Sequence, residues 1–418
     1  MAPIGDRRVD GAQSARDPRS AHSVGGSANA PPWGVLIGLC VSQITSWGVM
    51  YYAFPVALSS VIADTGWTAG AVTGAFSVGL VTSAAAGVPV GRWLDRWGPR
   101  PVMTGGSCLA VLAMTGVAFA HHFVLFLGSW VLAGLAMAAV FYQPAFAALT
   151  EWFGPRRVRA LTLLTLVASL ASTVFAPLTQ FMLAHLDWRS TYLCLAGLLG
   201  VVTLPLHCIV LARPWRANGP VHLRERHGLP LREVLRRPQF VVLSGAMAVT
   251  AFGLYAASMT LIPLLTGRGI STSLAALAFG LIGVGQLLGR AGYAPLAACT
   301  TPAARTSILL AGSVVCLALL AAVPGPALLL VVLAMLLGAV RGAATLLQAT
   351  LVSDVWGTDS YGTLSGWFAA PITTAAALAP WAGTALAETL DGYAAMVWVL
   401  TAMGLSATVA VAFAGRRP

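Results

Sequence analysis

The sequence predicts an all-α membrane protein of twelve transmembrane helices arranged as two six-helix repeats. Three observations predict this fold class: the apolar composition, a regular series of long apolar segments, and matching residues in the two halves of the chain. Hydrophobic residues make up 58% of the 418 residues and charged residues only 9%. Ordinary soluble domains contain about 25% charged residues, so this composition argues against a soluble globular protein.

Twelve apolar segments follow residue 32, and each is about long enough to cross a bilayer, which takes about 20 mostly apolar residues. The predicted spans are 33–61, 68–91, 101–120, 123–149, 160–184, 190–212, 239–266, 273–297, 305–323, 326–352, 361–385 and 391–414. Residues 1–32 are polar and rich in Ser, Gly, Ala and Arg. We expect a disordered tail there, without the short apolar core of a secretory signal.

The longest break between spans is the basic, proline- and glycine-rich segment 213–238. We expect it to be a linker between an N-terminal six-helix half (33–212) and a C-terminal half (239–418). Five pairs of similar residues are separated by one constant offset of 203 positions, which favours a duplicated half. These pairs are Gly66 and Gly269, Phe76 and Phe279, Glu151 and Asp354, Gly154 and Gly357, and Pro177 and Pro380.

The basic residues predict the orientation in the membrane. Twenty of the 24 basic residues, all Arg, fall in the tail, the linker, the chain end and the loops on the same side. The loops on the other side hold only Arg189 and Arg268. By the positive-inside rule both termini should be cytoplasmic. The net charge of +11 then reflects orientation, and we expect no nucleic-acid partner.

The segment GVPVGRWLDRWGPR (residues 87–100) lies between the second and third spans. It resembles the signature loop of the major facilitator superfamily, and the resemblance covers about residues 33–414. The resemblance implies alternating access between two halves, with the loop aspartate approaching the start of the eleventh span, near residues 359–361. The conformational gate implied in this way consists of Gly87, Gly91, Asp95, Arg96, Gly98 and Arg100. The alternative is that these charges only set the orientation.

Three further segments resemble the monocarboxylate and oxalate–formate branch of the superfamily: residues 65–68, 186–192 and 285–290. In that branch an arginine placed like Arg290 pairs with carboxylate substrates. Other patterns of the superfamily are missing. Trp130 stands where proton-coupled drug exporters carry a span-four arginine, Ala176–Pro177 is a poor match to their span-five motif, and span eleven has no cation to hold a dicarboxylate.

Two arginines, Arg290 and Arg341, lie within predicted spans, where an arginine costs about 2.5–3.5 kcal/mol by insertion scales. No Asp or Glu lies deep in a span, so neither has an obvious acidic partner. An unpaired guanidinium beside a hydrated path favours an anionic ligand. The alternative is a structural role, bonding to backbone carbonyls. Polar residues at helical spacing and nearby aromatic candidates complete the predicted substrate site: Gln286, Thr345, Gln348, Tyr52, Tyr142 and Gln143.

The sequence thus predicts a transporter of a small organic anion, with a monocarboxylate as the leading class, in the inner membrane of a bacterium. An exporter of drugs and a transport-inactive sensor of the same fold are the alternatives. The proton could travel on the substrate, and uniport or anion exchange also stay open. No nucleophile with a base, phosphate-binding loop or metal-ligand cluster is visible, so we expect no enzyme and no cofactor. The expected partners are the bilayer, the substrate and an optional proton, with a monomeric chain.

Overall fold

The computed structural model describes residues 33–215, 231–356 and 361–414. These ranges contain helices and turns, and no strand occurs within them. A short helix, Leu231–Arg236, precedes the second half. The long helices, in chain order, are α1 (Trp33–Thr65), α2 (Ala69–Trp97), α3 (Pro99–Ala118), α4 (Phe123–Val140 and Tyr142–Phe153), α5 (Arg157–Ala168 and Ala171–Leu183), α6 (Trp188–Val210), α7 (Pro238–Met259 and Leu261–Thr266), α8 (Thr272–Cys299), α9 (Pro302–Ala322), α10 (Ala327–Trp356), α11 (Tyr361–Thr389) and α12 (Tyr393–Ala414).

Ten apolar helical stretches in the described ranges are long and apolar enough to cross a membrane. One of them, Phe123–Leu183, has 61 residues, about three times the length that a bilayer requires, and contains both α4 and α5. The chain turns between these two at Gly154, whose φ is 48°. Helix α11 adds a further 29 residues. The predicted all-α fold of twelve membrane-length helices is confirmed.

Several helices extend beyond the apolar spans that the sequence predicted. Helix α2 runs on to Trp97, α4 to Phe153 and α10 to Trp356. Hydropathy marks only the apolar part of a helix, and these last turns carry polar and aromatic residues that continue the backbone hydrogen bonding. Arg305, expected in a loop, is instead buried in the first turn of α9 and pairs with Asp354 of α10.

Features recur at the predicted offset of 203 residues. Gly66 and Gly269 both take a left-handed φ, 71° and 81°, immediately before α2 and α8. The side chains of Thr68 and Ser271 then cap these two helices by accepting from backbone N–H groups three residues ahead. We call α1–α6 the N-half and α7–α12 the C-half. The limits of the predicted domains, including the tail at 1–32, remain a prediction.

We call the end of the bundle where α6 stops and α7 begins the linker end, and the opposite one the far end. At the far end α2 packs against α11. The backbone N–H of Gly70 donates to the Glu388 carboxylate at 2.9 Å, and the Trp381 N–H donates to the Ser77 hydroxyl at 3.1 Å. The Trp381 ring also covers Gly74. The two halves are therefore joined at the far end.

Helices α5 and α8 form the second contact between the halves. The hydroxyls of Ser172 and Thr173 donate to the Gly280 carbonyl at 3.1 and 2.9 Å. A Cβ atom at Gly91 in α2 or at Gly366 in α11, both nearer the linker end, would meet nothing within 4 Å, so neither glycine packs against a neighbouring helix. The contacts between α2 and α11 named above thus lie at the far end.

Within the C-half, α8 and α10 approach with their backbones in contact. A Cβ at Gly285 or Gly289 would clash with carbonyl oxygens of α10, and one at Gly338 or Gly342 with carbonyl oxygens of α8. Small residues permit this close approach. The resulting van der Waals packing stabilises the helix pair, because lipid gives no hydrophobic driving force for helix association.

We predict that Gly289→Ala destabilises the protein by about 1–3 kcal/mol, because the added methyl overpacks the seam between α8 and α10. The matched control is Gly292→Ala on the same helix, where a Cβ would meet nothing within 4 Å. Thermal unfolding in detergent measures both variants. Equal melting temperatures for the two would contradict the role of the seam.

We predict that Glu388→Ala weakens closure at the far end, because the α2 N-terminus loses an anionic cap worth about 0.5–2 kcal/mol. Spin labels at the exposed positions His121 and Ala322, in a cysteine-free background, report the distance between the halves. We expect a larger population of long distances. Asp64→Asn, which removes the partner of Arg189 within the N-half alone, should leave the distribution unchanged.

Candidate functional site

A central cavity lies between the two halves, near the middle of the helices. It has two adjoining compartments, which share Tyr255, Thr373 and Ala376. The first, here called the aromatic compartment, has a volume of about 340 Å³. The second, the arginine compartment, has a volume of about 150 Å³ and contains Arg341 in its wall. Because the walls come from both halves, a bound molecule would touch both.

An irregular turn in α1 forms one wall of the aromatic compartment. Residues Gly48–Tyr52 wind as a π-helix, a feature frequent at functional sites. This turn follows Trp47 and includes Tyr51, both in the wall of the compartment. Gly48 is required because a Cβ there would overlap the ring of Phe175 in α5.

A break in α4 forms the facing part of the same wall. Phe141 is extended, with ψ of −158°, and interrupts the helix. The break frees the Val140 carbonyl, which accepts from the Gln43 amide at 2.7 Å. The Phe141 ring stacks on Trp47 with centroids 3.9 Å apart, and Tyr142 lies 5.2 Å from the same indole. Gln43, polar and within a span, thus holds the broken helix.

Arg341 in α10 is 5% exposed, and its guanidinium lies 3.9 Å from the centroid of the Tyr255 ring. Tyr51 and Tyr52 are its other close phenolic neighbours. Its Nη1 is buried without a hydrogen-bond acceptor, and among the described residues Arg341 forms no ion pair. The Tyr255 ring stabilises the cation through its π face but leaves hydrogen-bonding capacity unused.

Thr345 and Gln348 lie with Arg341 in the wall of the arginine compartment, as their helical spacing predicted. The Thr345 hydroxyl donates to the Arg341 carbonyl at 2.9 Å. Tyr142 and Gln143 lie in the wall of the aromatic compartment. The structure therefore brings these five predicted residues together around one cavity.

Gln286 and Tyr52 are buried beside the cavity, outside the walls of its two described compartments. The Gln286 amide donates to the Tyr52 hydroxyl at 3.4 Å, which links α8 to α1 across the two halves.

Arg290 is half-buried and lies outside the walls of both described compartments. Its guanidinium donates to the Thr165 carbonyl of α5 and has the Tyr142 hydroxyl as a polar neighbour. The sequence left open a structural role for Arg290, in which its guanidinium bonds a backbone carbonyl. The bond to Thr165 is of this kind. The two intramembrane arginines therefore have different surroundings, and only Arg341 lies in a wall of the described cavity.

Gly98, in the predicted gate, needs to be glycine for two reasons. Its φ is 79°, and a Cβ there would lie 2.8 Å from the ring of Trp215, which begins the linker. The Trp215 indole also donates to the Asp95 carbonyl at 3.3 Å. The loop after α2 is thus fixed against the start of the linker.

The charged side chains of the predicted gate, Asp95, Arg96 and Arg100, are exposed at the linker end. Arg96 lies over the Trp97 ring at 5.8 Å. Gly87 faces the Gln143 side chain of the same half. Asp95 was expected to approach the start of α11 near residues 359–361, of which 359 and 360 lie outside the described ranges. The gate therefore stays a prediction.

The wall residues that sequence reasoning missed include Trp47, Phe141 and Thr373. Tryptophan and phenylalanine are ordinary in membrane spans, and only the helix breaks beside them distinguish these two. Within the described ranges no cluster of three or more His, Cys, Asp or Glu could hold a metal ion.

Comparison with known proteins gives a family match. Residues 35–303 match the model described as Major Facilitator Superfamily. Monocarboxylate transporter 13 of Bos taurus is 30% identical over 330 residues, which cover 77% of this chain and 73% of that protein. Monocarboxylate transporter 11 of Mus musculus is 33% identical over 232 residues, covering 54% of this chain and 49% of that protein. The chain thus spans only about half the length of the second relative.

A solved structure has the same fold. The crystal structure of a bacterial homologue of the human lysosomal transporter Spinster, in an inward-facing and occupied conformation, has a TM-score of 0.73 at 15% identity. It covers 92% of this chain and 97% of that chain. At this identity the likeness concerns the fold alone.

Proposed function

Because the chain belongs to the major facilitator superfamily and is a transmembrane transporter, we propose that it carries an organic anion with a single carboxylate. The central cavity would be exposed alternately to each side as the two halves rock about it. Relatives named monocarboxylate transporters support this substrate class, and so does the chemistry of the cavity wall.

One observation carries the proposal: Arg341 is buried in the wall of the cavity without an acidic partner among the described residues. Two further donors in the wall of the aromatic compartment, the Tyr51 hydroxyl and the Trp47 indole N–H, also lack acceptors. A carboxylate accepts several hydrogen bonds and neutralises the guanidinium, so it would satisfy what the protein leaves unpaired.

The two rival functions have less support. A cationic drug would meet the Arg341 charge with no carboxylate in the described walls to offset it. A transport-inactive sensor has no use for a central cavity with walls from both halves. Arg341, Thr345, Gln348, Tyr142 and Gln143 form the proposed substrate site. Arg290, Gln286 and Tyr52 lie outside these walls. We propose that they link the two halves, through the Arg290–Thr165 bond and the Gln286–Tyr52 bond.

We propose that the linker end faces the cytoplasm of a bacterium, in its inner membrane, because most basic residues lie at that end. In the outward-facing state the loop containing Asp95, Arg96 and Gly98 would close the linker end against the start of α11. Close approach of α2 would use Gly87 and Gly91.

The residues of the cavity walls also bear on whether transport is coupled to a proton. The described walls contain no Asp, Glu or His that could relay a proton. We therefore propose that a proton, where one is moved, travels with the acid, and that uniport or anion exchange proceeds on the same site without it.

The test is uptake of labelled lactate, pyruvate and phenylacetate by the full chain in proteoliposomes. We predict that Arg341→Gln raises the half-saturation concentration of whichever acid is carried about 10- to 150-fold, the effect of losing charge-assisted hydrogen bonds of about 1.5–3 kcal/mol. Arg268→Gln is the matched control, because that guanidinium bonds the carbonyls of Ala321 and Val323 at the far end.

Uptake of none of the three acids under any gradient would overturn the proposal. The variant Arg290→Gln tests separately which of the two arginines binds the substrate carboxylate. Loss of affinity in Arg290→Gln alone, with Arg341→Gln unchanged, would contradict the assignment of Arg341.

A further inference from the structure

We infer that the preferred substrate is a carboxylate with an aromatic body, of the arylacetate or arylpyruvate type, and neither a lactate-sized acid nor an amino acid. This inference rests on the proposed function, because it takes Arg341 as the anchor for the carboxylate. The observation behind it is the joining of a small cavity that holds one cation to a larger cavity walled by aromatic rings.

Volume is the first argument. The arginine compartment, about 150 Å³, is large enough for a carboxylate and the carbon next to it. The aromatic compartment adds about 340 Å³, within the range of sites that hold ligands of drug size, about 300–1,000 Å³. A lactate-sized acid on Arg341 would leave the larger compartment unfilled and its apolar walls in contact with water. A ring attached through a short link would fill it.

The character of the walls is the second argument. Trp47 and Phe141 stack face to face, with centroids 3.9 Å apart and an interplanar angle of 12°. Tyr142 lies on the same side of the cavity, with its ring tilted by 41° to the indole. Such surfaces favour another ring in an offset or edge-to-face arrangement over a flexible aliphatic chain. These rings belong to the N-half, whereas Arg341 belongs to the C-half.

The connection between the compartments fixes the geometry of the ligand. Tyr255 belongs to both and lies 3.9 Å from the Arg341 guanidinium. A ligand that pairs with Arg341 must pass this ring to reach Trp47. We therefore expect a flexible link between the carboxylate and the ring, which a benzoate lacks.

Charge excludes two neighbouring classes. The walls of the described compartments contain no carboxylate, so the ammonium of an aromatic amino acid would lie near the Arg341 cation without a counter-charge. They contain one guanidinium only; Arg290 lies outside them, bonded to the Thr165 carbonyl and beside the Tyr142 hydroxyl. A second carboxylate would therefore have no second guanidinium within these walls to pair with.

The experiment measures uptake of labelled phenylacetate and labelled lactate by the full chain in proteoliposomes. Unlabelled phenylalanine and the neutral phenylacetamide serve as competitors. We expect the half-saturation concentration of phenylacetate to be about tenfold lower than that of lactate, the scale of one well-packed aromatic contact. Phenylacetamide and phenylalanine should compete weakly, the first for lack of charge and the second because of its ammonium.

Trp47→Leu should reduce the preference for phenylacetate over lactate to about twofold, because the variant removes a ring that would pack on the phenyl group and keeps the Arg341 anchor. Trp93→Leu is the matched control, since Trp93 is exposed on α2 outside both compartments. If Trp47→Leu does not fold, Phe141→Leu and phenylacetate binding to the detergent-purified protein carry the same test.

Equal half-saturation for phenylacetate and lactate overturns the inference, and so does a preference that survives both ring variants. If phenylalanine competes as strongly as unlabelled phenylacetate, an ammonium near Arg341 does not weaken binding, and the inference is overturned. In each case uptake that still depends on Arg341 leaves the proposed function standing. Failure of the proposed function would give a different result, namely no uptake of either acid.

Discussion

The contact between the Arg341 guanidinium and the Tyr255 ring is the interaction on which the site depends. A guanidinium in the middle of a helical bundle is stable only with an acid, a π face, backbone carbonyls or water nearby. Here the π face covers one side of the cation, and no acid of the described residues reaches it. The cation is therefore tolerated but not neutralised, and on the proposed function that residual charge attracts the anionic substrate.

The low dielectric of the membrane interior also constrains the two irregular helices beside the cavity. Helix interruptions free backbone polar groups, which in a membrane must find other partners. The break at Phe141 is compensated by the Gln43 amide on the Val140 carbonyl, and the π-helical turn at Gly48–Tyr52 packs against Phe175. These two irregular segments point large aromatic side chains toward the space between the halves, which regular helices at the same positions would direct differently.

The sequence predicted the fold well because membrane length and apolarity are local properties, readable one helix at a time. The stripe of Arg341, Thr345 and Gln348 was predictable for the same reason, since all three lie on one helix. What the sequence could not supply was the contact between helices. In the sequence Arg290 and Arg341 both lie within predicted spans without an acidic partner, and the family resemblance points to Arg290. The structure separates them, because Arg290 donates to the Thr165 carbonyl on a helix more than a hundred residues away, whereas Arg341 lies in the cavity wall. Trp47 and Phe141 were missed because their role depends on one another.

The placement of the two arginines suggests how binding and movement are linked. Arg341 belongs to the C-half and the aromatic rings to the N-half, so on the proposed function one ligand contacts both halves at once. A ligand shifts a conformational equilibrium only as far as it binds one state better. A ligand that spans the gap is held most tightly when α2 and α11 approach at the linker end, so it favours closure there. Closure at one end requires separation at the other, where Glu388 caps α2. The Arg290 bond also links α8 to α5, one helix from each half, so on this proposal it resists their sliding past one another.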